Sequence, residues 1–518
     1  MDASPAFRSR PGLSLAPQAQ IGDAEREAGL RRLIYEAGYS SATAVVTSGV
    51  ILTAFALHLG ASNLIVGILA SAPFLGQLLQ APAVLLIERL RRRKAIAVVT
   101  SAIGRSMLLL MTLAAFLPSP LAITALILGQ FVLCGLGAIG GCAWNGWLRD
   151  LAPQERLGFI FARRTTWTTT VSLIAGLAAA FLLDRTQAGS DARALAFAGL
   201  YLVGCATGLI SGGGGGENAR ACHAAADRRA ARPRLDAASS ARRSQFPAAG
   251  HVSLELAFAV NLATPFFTVF IVSRLGFDMT FVMLLSVASQ VTNLIAVRGW
   301  GTLGDRFAHK SVLAVAAPTY ILCIVGMIGA SPLGASDVGM AYLVGLHALM
   351  GAAVAGVTLA TANIALKLSP RGEATAYVAT SALTSSLAAG IAPILGGLFA
   401  DFFAARRFEL LLRWTSPNGT VLLSPISLSH WDFYFLSAWL LGLYALHRLS
   451  LVQEEGQIDP KEMVEHIVGE TRRAVRNLGT VTGLRALTDL PGALVHDARR
   501  RARWLRLQHH VARGSKPT

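Results

Sequence analysis

Twelve stretches of about twenty residues, nearly free of charge, recur between Gly38 and Leu451. A helix of that length rises about 30 Å, the thickness of a bilayer's hydrocarbon core. The runs fall at 38–59, 62–87, 95–117, 120–148, 165–184, 192–211, 252–273, 279–299, 311–330, 337–365, 375–400 and 431–451. Only helices or closed barrels satisfy their backbone in lipid, and uninterrupted apolar runs of this length are helical. The expected fold class is therefore an all-α polytopic membrane protein with about twelve transmembrane helices in two six-helix repeats. Charged residues make up 14% of the chain, against roughly a quarter in soluble domains, so lipid is the expected solvent.

The net charge of +17 does not imply a nucleic-acid partner, because the cations sit between and beyond the apolar runs. The loop Glu88-Arg-Leu-Arg-Arg-Arg-Lys94 and Arg149, Arg156, Arg163, Arg164, Arg306, Lys310, Lys367 and Arg371 share one side. Loops on the other side, such as 60–62, 118–120 and 331–337, lack cations; Arg185, Arg193, Arg274, Arg406, Arg407 and Arg413 are exceptions. Cations gather on the cytoplasmic side. Both termini are thus expected in the cytoplasm of a multi-pass protein, read as one of a bacterial inner membrane. Cys134, Cys142, Cys205, Cys222 and Cys323 form no close pair; they read as packing residues, and no metal site or cofactor is expected.

The chain repeats itself. Glu88 to Val98 lies ungapped over Asp305 to Val315, and Leu151-Ala-Pro153 over Leu368-Ser-Pro370, both at an offset of 217 residues. Leu59-Gly60 lies over Leu275-Gly276 with an offset one smaller, and in that register the helix breakers Gly49 and Pro265 coincide. Two parallel six-helix halves are a transporter architecture. The organisation read from the sequence is an N-terminal cytoplasmic segment 1–37, a first bundle 38–211, a linker 212–250, a second bundle 251–451 and a basic tail 452–518. The linker opens with five glycines and continues Ala- and Arg-rich, a flexible composition; a shifted reading frame through GC-rich DNA would leave the same trace.

The segment Gly301-Thr-Leu-Gly-Asp305-Arg306-Phe-Ala-His-Lys310 resembles the signature loop of the major facilitator superfamily, Gly-x-Leu-x-Asp-Arg-x-Gly-x-Arg/Lys. With the repeat and the span count, the resemblance covers roughly residues 30–451. It implies two bundles rocking around a central cavity lined by spans one, four, seven and ten. It also implies a gating loop at Gly301, Asp305, Arg306 and Lys310 that latches the cytoplasmic side in one conformation. The first-half copy, Glu88 and Arg89, departs from the pattern, with Val84 at the glycine and a glutamate at the aspartate. The superfamily's drug-antiporter signature is absent from the fifth span. A similar string, Gly390-Ile-Ala-Pro393-Ile-Leu-Gly396-Gly397, occupies the eleventh and reads as a hinge.

Polar residues within spans usually face the bundle interior. On the four central spans they nominate Thr47, Gln130, Asn145, Asn261, Thr268 and Asn363 for the substrate cavity; interhelical bonding is the plainer reading of each. His347 lies in register with Phe131, where family members often carry an Arg four residues before a Gly, here Gly135 and Gly351. A histidine titrates near neutrality, so His347 is the candidate for proton coupling. Arg105, in the third span, needs a carboxylate or carbonyl partner, or an anion. Gln77, Gln290 and Asn293 fit the interface between halves.

In the tail, Asp459-Pro460 marks a helix start. Arg499 to Arg501, Arg503, Trp504, Leu505 and Arg506 suit anionic lipid headgroups. No Walker loop and no nucleophile–base set is present, so neither ATP-driven transport nor an enzyme is expected. The expectation is a monomeric secondary active transporter moving a small-molecule substrate by alternating access, possible proton coupling included. The alternative is a membrane scaffold or sensor that keeps the fold without transport.

Overall fold

The computed structural model describes residues 23–90, 93–151, 157–187, 189–217, 246–367, 374–416, 419–451, 459 and 461–469. Each of the twelve apolar runs is helical. The first half comprises Asp23–Thr47 continued by Gly49–His58, Asn63–Gln77 continued by Gln80–Leu90, Arg93–Ala114, Ser119–Leu151, Leu157–Asp184 and Asp191–Glu217. The second comprises Phe246–Val269 with the π-turn Phe270–Arg274, Met279–Phe307, His309–Gly326 with a 3₁₀ turn to Ala330, Asp337–Lys367, Ala374–Phe403 and His430–Ser450.

Among the described residues, eleven helices are long and apolar enough to cross a membrane. The twelfth span, His430–Ser450, is 21 residues long and carries two tryptophans, two tyrosines and Asp432, which lower its hydropathy. Its Trp431, Tyr434 and Phe435 instead build an aromatic core with Phe266 and Phe270. Asp432 Oδ2 caps its start, accepting from the Ser429 amide at 2.9 Å. Outward, Ile174, Leu195, Ile295, Leu322 and Val338 are all more than 60% exposed, the apolar belt that lipid covers. The protein is a multi-pass integral membrane protein.

The helix breakers act as their register implies. Gly49 takes φ +57° and interrupts the first span after Thr47, a conformation that side chains other than glycine resist. Pro265 lies inside the seventh span, one turn before the π-turn, where Leu275 N bonds Phe270 O at 3.1 Å. Proline removes an amide donor, and the ladder resets beyond it.

Some boundaries differ from the sequence reading. The helix of the first span already runs through Gly29, well before Gly38, with Leu30, Leu33 and Ala37 buried and Arg31, Arg32 and Tyr35 on the other face exposed. Strict runs of apolar residues miss such a face. The sixth span stays helical to Glu217 and the seventh starts at Phe246, so both intrude on the stretch read as linker. Extending an existing helix adds one bond per residue and needs no new nucleus. Residues 218–245, which hold most of that linker, lie outside the described residues.

The largest departure is a β-hairpin where a loop was expected. Strands β1, Arg407–Ser416, and β2, Gly419–Ser429, pair antiparallel with a bulge between Leu410 and Leu412. The Asn418-Gly419 pair is a turn signal of the kind that closes hairpins. The hairpin marks one end of the body, here the hairpin end; the end holding Glu88 and Asp305 is the basic end. The chain divides after Glu455. In the C-terminal unit, Asp459 Oδ1 accepts from Lys461 N at 2.8 Å and starts a helix at 461–469, as the Asp-Pro pair implied. Arg499 to Arg506 lie outside the described residues.

Candidate functional site

The two halves meet along two seams related by the repeat. The second span packs against the eleventh, and the fifth against the eighth. At the first seam a Cβ added to Gly67 would lie 2.1 Å from Pro393 O, and one on Gly397 would lie 2.4 Å from Asn63 O. Gly390 sits against Leu75, and Gly396 against Leu262 O and Tyr434. The small residues read as a hinge are thus where backbones touch across the halves and against the seventh span. The eleventh helix runs unbroken through Pro393. At the second seam Gly176 sits against Met283.

Both seams are closed at the hairpin end by a carboxylate on a helix N-terminus. Asp401, at the end of the eleventh span, accepts from Asn63 N at 3.1 Å, Asn63 Nδ2 at 2.8 Å and Leu64 N at 2.9 Å. Asp184, at the end of the fifth span, accepts from Met279 N at 2.9 Å, Thr280 N at 2.7 Å and Thr280 Oγ1 at 2.5 Å. The first amides of a helix have no intrahelical partner and carry the positive end of the macrodipole. A carboxylate from the opposite half supplies both an acceptor and the complementary charge. Asp184 and Asp401 stand at the repeat offset of 217 residues. Sequence reasoning passed over this pair. The offset that aligned the basic loops would have found it, since both are acidic span ends in register, but the capping partner lies far away in the chain.

At the basic end Glu88, Arg89, Asp305 and Arg306 are exposed. Glu88, Arg89 and Asp305 make no side-chain hydrogen bond or ion pair among the described residues. Arg306 lies over the neighbouring Phe307 ring at 4.7 Å. Gly301 borders Leu359 of the tenth span, and Gly304, not Gly301, is the position a side chain could not share, since its Cβ would meet His309 at 2.5 Å. Lys310 has its own partner. At this end a cross-span ion pair joins Arg448 of the twelfth span to Glu255 of the seventh at 3.5 Å, inside the second half.

The cavity candidates do not form one cluster. Thr47 is buried within the first half; its Oγ1 donates to Thr43 O at 2.7 Å, and Gly204 packs on it. Gln130 is equally buried, 3.4 Å from Cys134 Sγ, with Oε1 unpartnered. Asn261 and Asn363 are half-buried and donate to carbonyls of their own helices, Ala257 and Leu359. Thr268 is half-buried. The Asn145 side chain lies outside the described residues. His347 is buried, with Nδ1 2.9 Å from Leu343 O and its ring edge-on to Phe267 of the seventh span. Gln77 and Gln290, on seam helices, are exposed near mid-span, and Asn293 donates to Gly351 O at 3.2 Å. An amide exposed at that depth is costly in lipid and suits a water-filled cavity between halves.

Comparison with known proteins fits this geometry. Residues 250–485 match the family model of the Major Facilitator Superfamily. No curated protein matches the sequence. Among solved structures, a mutant of the nucleoside transporter NupG is similar at 14% identity and a TM-score of 0.62, over 82% of this chain and 100% of that one. A bacterial homologue of the human lysosomal transporter Spinster, in an inward-facing and occupied conformation, aligns at 16% identity and 0.58, over 85% and 100%. A D-xylose–proton symporter aligns at 12% and 0.56, over 82% and 98%. These likenesses establish the fold across both halves.

Proposed function

We propose that this chain, whose residues 250–485 match the family model of the Major Facilitator Superfamily, is a secondary active transporter, that the structure is its inward-facing state and that its cargo is a small uncharged polar solute. One observation carries the state: Asp184 and Asp401 cap the opposite half at the hairpin end, while Glu88 and Asp305 at the basic end hold no partner among the described residues. A transporter that alternates access needs one end closed and the other released. The cation-rich basic end is then cytoplasmic, with both termini, and the hairpin lies outside. In the reverse state Asp305 and Arg306 take over the latch as the caps release. The alternative of a silent scaffold draws no support from the comparisons.

The solute class is read from the polar residues of the central and seam spans. Gln77, Gln290, Asn261, Thr268 and Asn363 offer amides and hydroxyls and no net charge, a chemistry for hydroxylated neutral solutes. Nucleoside and xylose, named for two of the structural neighbours, belong to that class. His347 is the group we assign to proton coupling, from its register on the tenth span and its contact with the seventh. The basic tail is read as resting on anionic headgroups, and the working unit as a monomer without enzymatic activity. Purified protein in proteoliposomes, screened with labelled nucleosides, sugars, organic anions and lipophilic cations with and without a proton gradient, tests the proposal. Uptake of a neutral polar solute is expected; uptake confined to anions or cations would overturn the assignment of cargo.

A further inference from the structure

A cavity of about 310 Å³ lies within the first half towards the basic end, lined by residues of spans one, three, four, five and six. Among the described residues its titratable lining is Glu36 of the first span, Arg105 of the third and Arg164 of the fifth. One carboxylate against two guanidiniums leaves a charge of +1 in a largely buried space, which is costly unless balanced. Glu36 is within electrostatic reach of both arginines, yet no direct ion pair joins them among the described residues.

The hydrogen-bond inventory is also incomplete. Arg105 is committed, donating to Gly208 O at 2.6 Å and towards Ser40 Oγ at 3.4 Å. Glu36 Oε1 accepts a long contact from Ser211 Oγ at 3.5 Å. Three buried atoms lack a hydrogen bond of good geometry: the donors Trp144 Nε1 and Arg164 Nε, and the acceptor Glu36 Oε2, although the Trp144 indole lies close enough to the Glu36 carboxylate to interact with it. The Trp144 ring lies 4.7 Å from the Arg164 guanidinium and orients it. Buried polar atoms are rarely left unpaired, and each such atom calls for an explanation. The space exists because span four turns glycines towards it; a Cβ on Gly137 or Gly141 would meet nothing within 4 Å.

We propose that this cavity binds a small monovalent oxyanion bearing a hydroxyl donor, the chemistry shared by 2-hydroxycarboxylates and dihydrogen phosphate. The anion neutralises the surplus charge and accepts from Arg164 Nε and Trp144 Nε1. Its hydroxyl donates to Glu36 Oε2. A zwitterion would meet the same atoms but leave the charge unbalanced. No described lining residue comes from the second half, so the site is distinct from a path between the halves, and it stands whether or not the cargo assignment does.

The test is calorimetric titration of the full chain in detergent with lactate, with inorganic phosphate at mildly acid pH, with propionate as the monoanion lacking the hydroxyl, and with chloride at matched ionic strength. Saturable binding of lactate or phosphate is expected, with lactate about tenfold tighter than propionate, the effect of one hydrogen bond to a charged acceptor. Whichever of the two binds tighter identifies the source. Gly137→Leu fills the void and should abolish binding. Arg164→Gln should do the same and serves if the first variant does not fold. Glu36→Gln should erase the preference for lactate while tightening propionate. Absence of saturable binding to the folded wild type, or binding unchanged in Gly137→Leu and Arg164→Gln, overturns the site; equal affinity for lactate and propionate overturns the hydroxyl.

Discussion

Removing both hairpin-end caps should open that end, and the size of the effect follows from their geometry. Asp401 is half-buried and accepts three hydrogen bonds; Asp184 accepts three but is more exposed. Losing a capping side chain costs about 0.5–2 kcal/mol, and the charge–dipole interaction adds about 0.3–1 kcal/mol near a surface. Asp401→Ala should therefore cost the closed state about 2 kcal/mol, and Asp184→Ala about 1 kcal/mol after allowance for solvent. The caps share no partner, so the losses add to about 3 kcal/mol, on the order of a hundredfold in the closed-to-open ratio. Spin labels at Gln187 and Ala335, in exposed hairpin-end loops of opposite halves, report that ratio through their distance distribution. The double variant should gain a longer-distance population, and each single variant a smaller one. Asp305→Asn should not, because Asp305 is assigned to the opposite state. A distribution identical in wild type and double variant would refute the latch, since three kilocalories cannot leave a two-state balance untouched.

Gly67→Ala should destabilise the protein by about 1–3 kcal/mol through overpacking against Pro393, while Gly137→Ala, which meets open space, should not; detergent thermal unfolding of the two separates contact from composition. His347→Ala should flatten the pH dependence of transport, and a profile of unchanged shape would take proton coupling away from that residue. Glu255→Gln, which breaks a partly exposed pair with Arg448, should cost less than about 1 kcal/mol, read in the same unfolding assay. Reporter tags on the two termini should both be protected in right-side-out membranes, and labelling of either from outside would reverse the orientation.

Lipid as solvent leaves a coarse signature that needs no tertiary information. Twenty apolar residues must become a helix in hydrocarbon, so the twelve spans, the breaks at Gly49 and Pro265 and the repeat are legible from residue order. The hairpin was missed because 401–430 reads as an interval between spans, although alternation in β1 and Asn418-Gly419 were there to find. The cavity residues were nominated for being polar inside a span, a property that does not say which way a helix is turned. Thr47 and Gln130 satisfy it while facing their own bundle.

Residue order alone thus determined that this chain spans a membrane as a duplicated pair of six-helix halves, because periodic hydrophobicity is a local property. Only the tertiary structure decided which end carries the caps between the halves. That depends on Asp401 reaching the amides of Asn63 and Leu64, and Asp184 those of Met279 and Thr280. The same holds for the charge left unbalanced among Glu36, Arg105 and Arg164. A hydrogen bond acts over about 3 Å, and nothing local in a sequence tells which residues, a hundred or three hundred positions apart, will come that close.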